Sequence, residues 1–384
     1  MSETPLFQLP ARYLDLQEEA RKLALACEDV AARADEADRF DPDVRERLAA
    51  SGLTRVAVAA EHGGRFEKVD SLAVTVVREA LAGVSGHLDS MFAMQGIGSF
   101  AVSVAGSPAV QQAWLPKVAT LEAVAAIGLT EPDVGSDLRA ITTTVEQDGD
   151  ELVLNGHKSF ITNAPDADFF GILAKEGDDY SLVLVPAATP GVTVTTPHQI
   201  VAPHVLGDVV LEDVRVPLDH RLGERGQGFR LMLATLATFR VSVAGASVGL
   251  AEAALREALG HATTREQFGG PLARLGGVPA ALATCAIEIE MARSLTYRAA
   301  ATAAQDPMAG LNLSSMAKAG ATEAAGRVVD RCVQVMGRFG LVRGGKMERL
   351  YREARPMRVY EGSTEVILDS VAKKLVKDYT AGAW

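Results

Sequence analysis

Residues 152–162, Leu152-Val153-Leu154-Asn155-Gly156-His157-Lys158-Ser159-Phe160-Ile161-Thr162, decide the fold class. Two apolar, β-prone runs flank Asn155-Gly156, the dipeptide that most strongly signals a tight turn between paired strands. Asp148-Gly149, just upstream, turns a strand over 142–146 into the same meander. Leu182-Val183-Leu184-Val185 and residues 192–195 add strands between proline-marked loops. An antiparallel β-barrel or sandwich of about 100 residues is expected here.

The flanks read differently. Five prolines fall in residues 1–123, seven in 124–222 and four in 223–384, which divides the chain into three domains at those boundaries. In the first, Asp41-Pro42, then Val44, Leu48 and Gly52, supply an N-cap, a first-turn proline and a terminating glycine in helical order. Glu61-His62-Gly63-Gly64 is a turn, and helical apolar periodicity resumes near Leu72. In the last domain the helical period returns over about 228–264, 276–305 and 309–339, with a short final helix over 364–376. The expected fold is α+β: an N-terminal helical domain, a middle β domain and a C-terminal four-helix bundle.

Composition removes several function classes. The 384 residues carry 38 Lys and Arg against 49 Asp and Glu, a net charge of −11, whereas tracking nucleic-acid phosphates needs clustered basic groups. All of that excess lies in 124–222, which holds 16 acidic and 5 basic side chains, so the helical regions are neutral together. Cys27, Cys285 and Cys332 have no metal spacing and suit reduced thiols in a cytoplasmic protein. The start MSETPLFQLPARYL lacks the basic and apolar regions of a secretory signal. Charge-free stretches at 90–116 and 181–207 are broken by Gly96, Gly98, Gly106 and Pro108, and by Pro186, Pro190, Pro197 and Pro203. A soluble protein without membrane insertion is therefore expected.

Familiar catalytic motifs are missing. There is no GxxxxGK[ST], no HExxH and no GxGxxG between a strand and a helix, and the seven histidines have no ligand spacing, so no metal is expected. Gly245-Ala246-Ser247-Val248-Gly249 fits GxSxG but lies inside a long helix, where Ser247 is a packing residue. Four polar clusters remain: residues 130–137 (TEPDVGSD), 158–163 (KSFITN), 265–269 (REQFG) and 360–364 (YEGST). Singly they read as a turn, a strand, a helix end and a helix start.

Their combination and order resemble the acyl-CoA dehydrogenase family over residues 20–378, in T-E-P-x-x-G-S-D, G-x-K-x-[WF]-I-T-N, R-x-x-F-G and Y-E-G-[ST]. The resemblance implies FAD bound between the β domain and the bundle. Leu129, Thr130, Ser136, Phe160 and Thr162 would line the flavin, and Ser363 and Glu365 would also bind the cofactor. Arg265, Phe268, Gln334 and Gly337 would reach the pyrophosphate and adenine of a neighbouring subunit. It further implies α,β-dehydrogenation of an acyl thioester with Glu361 as base, and substrate contacts from Gln95, Ser136, Arg240, Tyr360 and Gly362. The oxyanion donors would be the Glu361 N–H and a flavin ribityl hydroxyl. Some relatives carry the base before the arginine matched by Arg240; here that residue is Phe239, which cannot accept a proton. Departures are Arg338 within the G-G-x-G segment, Phe160 where tryptophan is common, and Ala237 where some relatives are acidic near the CoA. The implied partners are acyl-CoA or an acyl-carrier-protein thioester, an electron-transfer flavoprotein, and further copies in a homotetramer or dimer. An oxidase and a non-dehydrogenating flavin binder are the alternatives. Phe239 points to a short or branched acyl group.

Overall fold

The computed structural model describes residues 9–36, 39–196, 198–202 and 204–383. Pro197, Pro203 and residues 1–8 of the start quoted above lie outside the described residues. The N-terminal helices are α1 (Ala11–Ala26), α2 (Glu28–Ala34), α3 (Pro42–Ser51), α4 (Ser71–Ala82), α5 (Gly86–Ala105) and α6 (Pro108–Thr120). α3 starts and stops as its sequence requires. The Asp41 carboxylate accepts from the Asp43 and Val44 N–H groups, and Gly52 ends the helix at φ 64°.

The middle domain contains β1 (Ala125–Gly128), β2 (Thr144–Asp148), β3 (Glu151–Thr162), β4 (Phe169–Glu176), β5 (Asp179–Pro186), β6 (Val192–Thr195), β7 (Leu206–Pro217) and β8 (Arg221–Leu222). The sheet order is β6-β7-β3-β2-β4-β5-β8. Most pairs are antiparallel as expected, but β1 pairs β4 in parallel and β2 meets β4 through one parallel pair, so the sheet is mixed. Side-chain alternation builds two cores. Phe169, Leu173, Leu182 and Leu184 face α5 and α6, while Phe170, Ile172, Val183 and Val185 pack with Leu152 and Val209.

One expectation fails. Asn155-Gly156 is not a hairpin turn but the middle of the continuous strand β3, and the turn is at Gly149, with φ 62°. The Asn155 amide exchanges hydrogen bonds with Asp213 on β7, and the register shifts between Leu154 and Gly156. Glycine is needed there because a Cβ would lie 2.3 Å from Thr143 Oγ1. A bulge and a close approach select the same residue as a turn.

The C-terminal region has α7 (Gly228–Thr264), α8 (Val278–Gln305), α9 (Pro307–Met336), α10 (Lys346–Ala354) and α11 (Thr364–Thr380), with a two-stranded ribbon, β9 (Glu266–Gln267) and β10 (Gly270–Pro271), after α7. α7, α8, α9 and α11 supply the expected four helices, and α10 is an unforeseen fifth. α7 is long and apolar enough to cross a membrane, but 78% of that apolar window is buried inside the protein. Its partners include α4, so the N- and C-terminal helices share one core.

Gly245 and Gly249 explain the crossing of α4 and α7. A Cβ on Gly249 would lie 1.8 Å from the Glu79 carbonyl oxygen, and one on Gly245 2.7 Å from that of Thr75. Ser247 is buried and donates back to the Val243 carbonyl, as its packing role requires. In an unobstructed helix, Gly→Ala would stabilise by about 1 kcal/mol. Here Gly249→Ala should reverse that sign and destabilise by about 1–3 kcal/mol, read by urea denaturation.

Candidate active site

β1 ends at Gly128, and Leu129-Thr130 leave it toward a cleft between the sheet and the bundle. Lys158 on β3, wholly buried, supports this turn: Nζ donates to the Leu129 carbonyl (3.2 Å) and to Glu131 Oε1 (2.9 Å). The Glu131 carboxylate also accepts from the Thr142 N–H (2.6 Å) and hydroxyl (2.8 Å) and the Thr143 N–H (2.9 Å). Burial pushes Glu131 up, but hydrogen bonds from Thr143, Lys158 and Thr142 outweigh it and hold the carboxyl at about 2. Burial pulls Lys158 below the usual lysine value. Phe160 then sits at φ 57°, 48% exposed, stacked on His198 with ring centroids 4.0 Å apart.

Across the cleft stands Tyr360-Glu361-Gly362, just before α11. Glu361 has φ 52°, a left-handed conformation that costs a non-glycine residue about 1–2 kcal/mol. Two cations clamp it: Lys318 of α9 donates to the Gly362 carbonyl (2.7 Å), and Arg240 of α7 to the Glu361 carbonyl (3.1 Å) and Ser315 Oγ (3.0 Å). Glu361 Oε2 is buried with no hydrogen-bond partner among the described residues. Burial raises its pKa above 4.5, opposed by the charges of Arg78, Arg240 and Lys318. Burial also brings Lys318 down to about 8, and raises Tyr360 well above 10.

The cleft holds about 960 Å³ of empty space, part of it open to solvent. Leu129, Thr130, Phe160 and Thr162, four of the expected residues, form its β wall, and Tyr360 and Glu361, two more, its opposite wall. Gly362 and Arg240 lie directly behind Glu361. Other expected residues lie elsewhere. Gln95 is fully buried in α5, with neither amide atom hydrogen-bonded to a described residue, and does not line the cleft. Ser136 is exposed in the loop before β2 and also lies off the cleft lining. Ser363 occupies the N-cap position of α11 without a side-chain cap bond, and Glu365 is exposed in its first turn. Arg265, Phe268, Gln334 and Gly337 are exposed at the far end of the bundle, where the Arg265 guanidinium lies 5.8 Å from the Phe339 ring centre. Phe268 has φ 52° and is 96% exposed. Phe239 packs edge-on against Phe100 in the core and is not part of the cleft lining, and Ala237 is fully buried.

Sequence reasoning missed Arg78, Ser90 and His204, all in the cleft wall, and Lys318. Single polar residues in a helix or loop give no spacing signal. The Glu131–Lys158 pair was visible in principle, since both residues stand inside the quoted clusters.

Helical regions before and after a β domain in the chain, with a cleft that sets a neutral wall against a buried carboxylate, suit a flavin-dependent oxidoreductase. Comparisons with known proteins narrow this. Residues 11–122, 126–214 and 226–376 match the N-terminal, middle and C-terminal domains of acyl-CoA dehydrogenase. The chain is 31% identical to the mitochondrial short-chain specific acyl-CoA dehydrogenase of Sus scrofa over 386 residues, covering 97% of this chain and 92% of that protein. Among solved structures it is similar to an acyl-CoA dehydrogenase complexed with FAD from Bacillus anthracis (TM-score 0.90, 25% identity, 99% of this chain and 69% of that chain). It is also similar to FkbI, described for biosynthesis of a methoxymalonyl extender unit (TM-score 0.84, 31% identity, 94% of this chain and 99% of that chain). The chain belongs to the acyl-CoA dehydrogenase family, and FAD is its cofactor.

The residues present fit that cofactor. The β wall offers the hydroxyls of Thr130 and Thr162, backbone groups and the half-exposed Phe160 face, and no charge. Such a surface hydrogen-bonds a neutral planar ring without fixing its electron count. Glu131 and Lys158, which hold this wall in place, are buried behind it.

Proposed function

We propose that the protein α,β-dehydrogenates an acyl thioester, with Glu361 as the base that removes the α-proton. The observation that supports this most is the buried, unpartnered Oε2 of Glu361, held across the cleft from the neutral β wall. A weakly acidic C–H needs a base of raised pKa in a dry site, and burial supplies that rise. FAD, when bound, accepts the β-hydrogen as hydride. Lys318 and Arg240 hold the carbonyls of Gly362 and Glu361, so the strained turn keeps its carboxylate aimed. By the family resemblance Arg240 would also contact the phosphopantetheine side of the substrate.

Coenzyme A is the first candidate for the thioester handle. An acyl carrier protein in a biosynthetic pathway is the second; the likeness to FkbI, described for biosynthesis of an extender unit, favours the biosynthetic setting. Electrons would pass to an electron-transfer flavoprotein. A homotetramer, or a dimer, is supported by apolar side chains left exposed on the bundle, Ile287, Met291, Leu368 and Val376 among them. In it Arg265, Phe268, Gln334 and Gly337 would meet the adenine end of a neighbour's FAD. The three free, buried cysteines suit a cytoplasmic location. The test is anaerobic: acyl-CoA and acyl-carrier thioesters over several chain lengths should bleach the yellow protein. Bleaching by carrier thioesters alone selects the second handle, and no bleaching by any thioester overturns dehydrogenation.

A further inference from the structure

One corner of the cleft is polar in a way that proton abstraction does not use. Ser90 of α5 lines the cleft, and its Oγ lies 3.1 Å from His204 Nδ1. His204 Nε2 lies 3.0 and 2.9 Å from the two Glu353 oxygens. The three come from a helix, the loop before β7, and α10, so only the tertiary fold assembles them. The seat for Glu353 is built: a Cβ on Gly86 would lie 2.6 Å from its carboxyl carbon.

We propose that Ser90, oriented by His204 and Glu353, hydrogen-bonds a neutral oxygen substituent (hydroxyl, ether or keto) on the acyl group. The proposal rests on the dehydrogenation reading for the identity of the thioester. With Nε2–H given to Glu353, the proton on Nδ1 decides what Ser90 can do. Burial pulls His204 down, but the charge and hydrogen bond of Glu353 outweigh it and raise it above 6.5. A protonated His204 donates from Nδ1 to Ser90 Oγ, which turns the serine O–H toward the cleft as a donor. The surrounding wall is Ala93, Met94, Ile97 and Met232. A plain alkyl chain packed there would strip the serine hydroxyl of water and return nothing, whereas an oxygen acceptor would satisfy it.

Charge balance selects a neutral group. His204 is matched by Glu353, and Arg78, the other cation facing the cleft, is held by Asp89 through Nε (2.9 Å) and Nη2 (2.7 Å). A carboxylate tail would find both cations already paired and would share the cleft with Glu361.

Calorimetric titration of FAD-loaded protein carrying Glu361→Gln separates binding from turnover. The probes are butyryl- and hexanoyl-CoA, their analogues hydroxylated at successive carbons beyond Cβ, and the matching dicarboxylic esters. At least one hydroxylated ester should bind tenfold or more tighter than its parent, and Ser90→Ala should bring that ratio close to one. The ratio does not depend on the fraction of protein that is folded. Glu353→Gln, which leaves Ser90 in place, should narrow it as well. Equal affinities for hydroxylated and parent esters, tightest binding by a carboxylate ester, or a ratio unmoved by either substitution would overturn the proposal. Flavin bleaching is read separately with Glu361 intact. Its failure with every ester counts against dehydrogenation, while the binding ratio still decides the role of Ser90.

Discussion

Glu361→Gln should lower the rate of flavin reduction by a thioester about 10³-fold or more while leaving FAD bound and its spectrum in place. Removal of a positioned base costs about 10²–10⁴-fold, and the upper part of that range applies because no described side chain hydrogen-bonds Glu361 Oε2 and stands ready to take its place. Phe239, beside Arg240, cannot accept a proton and faces the core. The amide is isosteric, so the clamp from Lys318 and Arg240, which binds backbone carbonyls, survives. The pH profile of the unsubstituted protein carries the sign. The carboxylate is the active form, so reduction slows as pH falls through a pKa raised above 4.5 by burial. Lys318 opposes that rise, so Lys318→Met should move the acid limb to higher pH. Stopped-flow reduction across pH, with normal rates in the Gln variant as the contrary outcome, decides the assignment.

The layout and both walls of the cleft were legible because they rest on local chemistry. Asp41-Pro42 and Gly52 specify helix ends by their own hydrogen bonds and dihedrals, whatever packs against them. The motif clusters encode backbone geometry too: Phe160, Phe268 and Glu361 all have positive φ, a conformation rare for such side chains and kept where surroundings enforce it. What was not legible depended on distant partners. Asn155-Gly156 has the composition of a turn, but its conformation is set by Thr143 and Asp213, which only the folded sheet brings close. Apolar periodicity identified α4 and α7 as helices without showing that each covers the other, so the first and last sequence regions became one shared helical core. Arg78, Ser90 and His204 escaped for the same reason. Each is a single polar residue whose role comes from the others.

Glu131→Ala should cost about 3–5 kcal/mol of stability, the usual cost of leaving one buried charge unpaired. Lys158 is wholly buried and Glu131 4% exposed, so water cannot replace the lost partner. Lys158→Met should be similarly costly, since Glu131 would keep its bonds to Thr142 and Thr143 but lose its counter-charge. Combining Glu131→Gln with Lys158→Met removes both charges, and the double variant should be more stable than either charge-stranding single one. Additive losses would mean that the two residues act independently. Acid should expose the same pair. Glu131 has a folded pKa of about 2 against an ordinary value of 4.5, so its contribution is full above 4.5 and is lost as pH falls toward 2. Urea denaturation at neutral pH and across that window reads both effects. Lys158 also holds the Leu129 carbonyl, so either single variant should loosen the β wall and release FAD at lower urea than global unfolding requires. If flavin fluorescence and circular dichroism instead change together at the wild-type midpoint, the pair neither stabilises the fold nor shapes the cofactor wall.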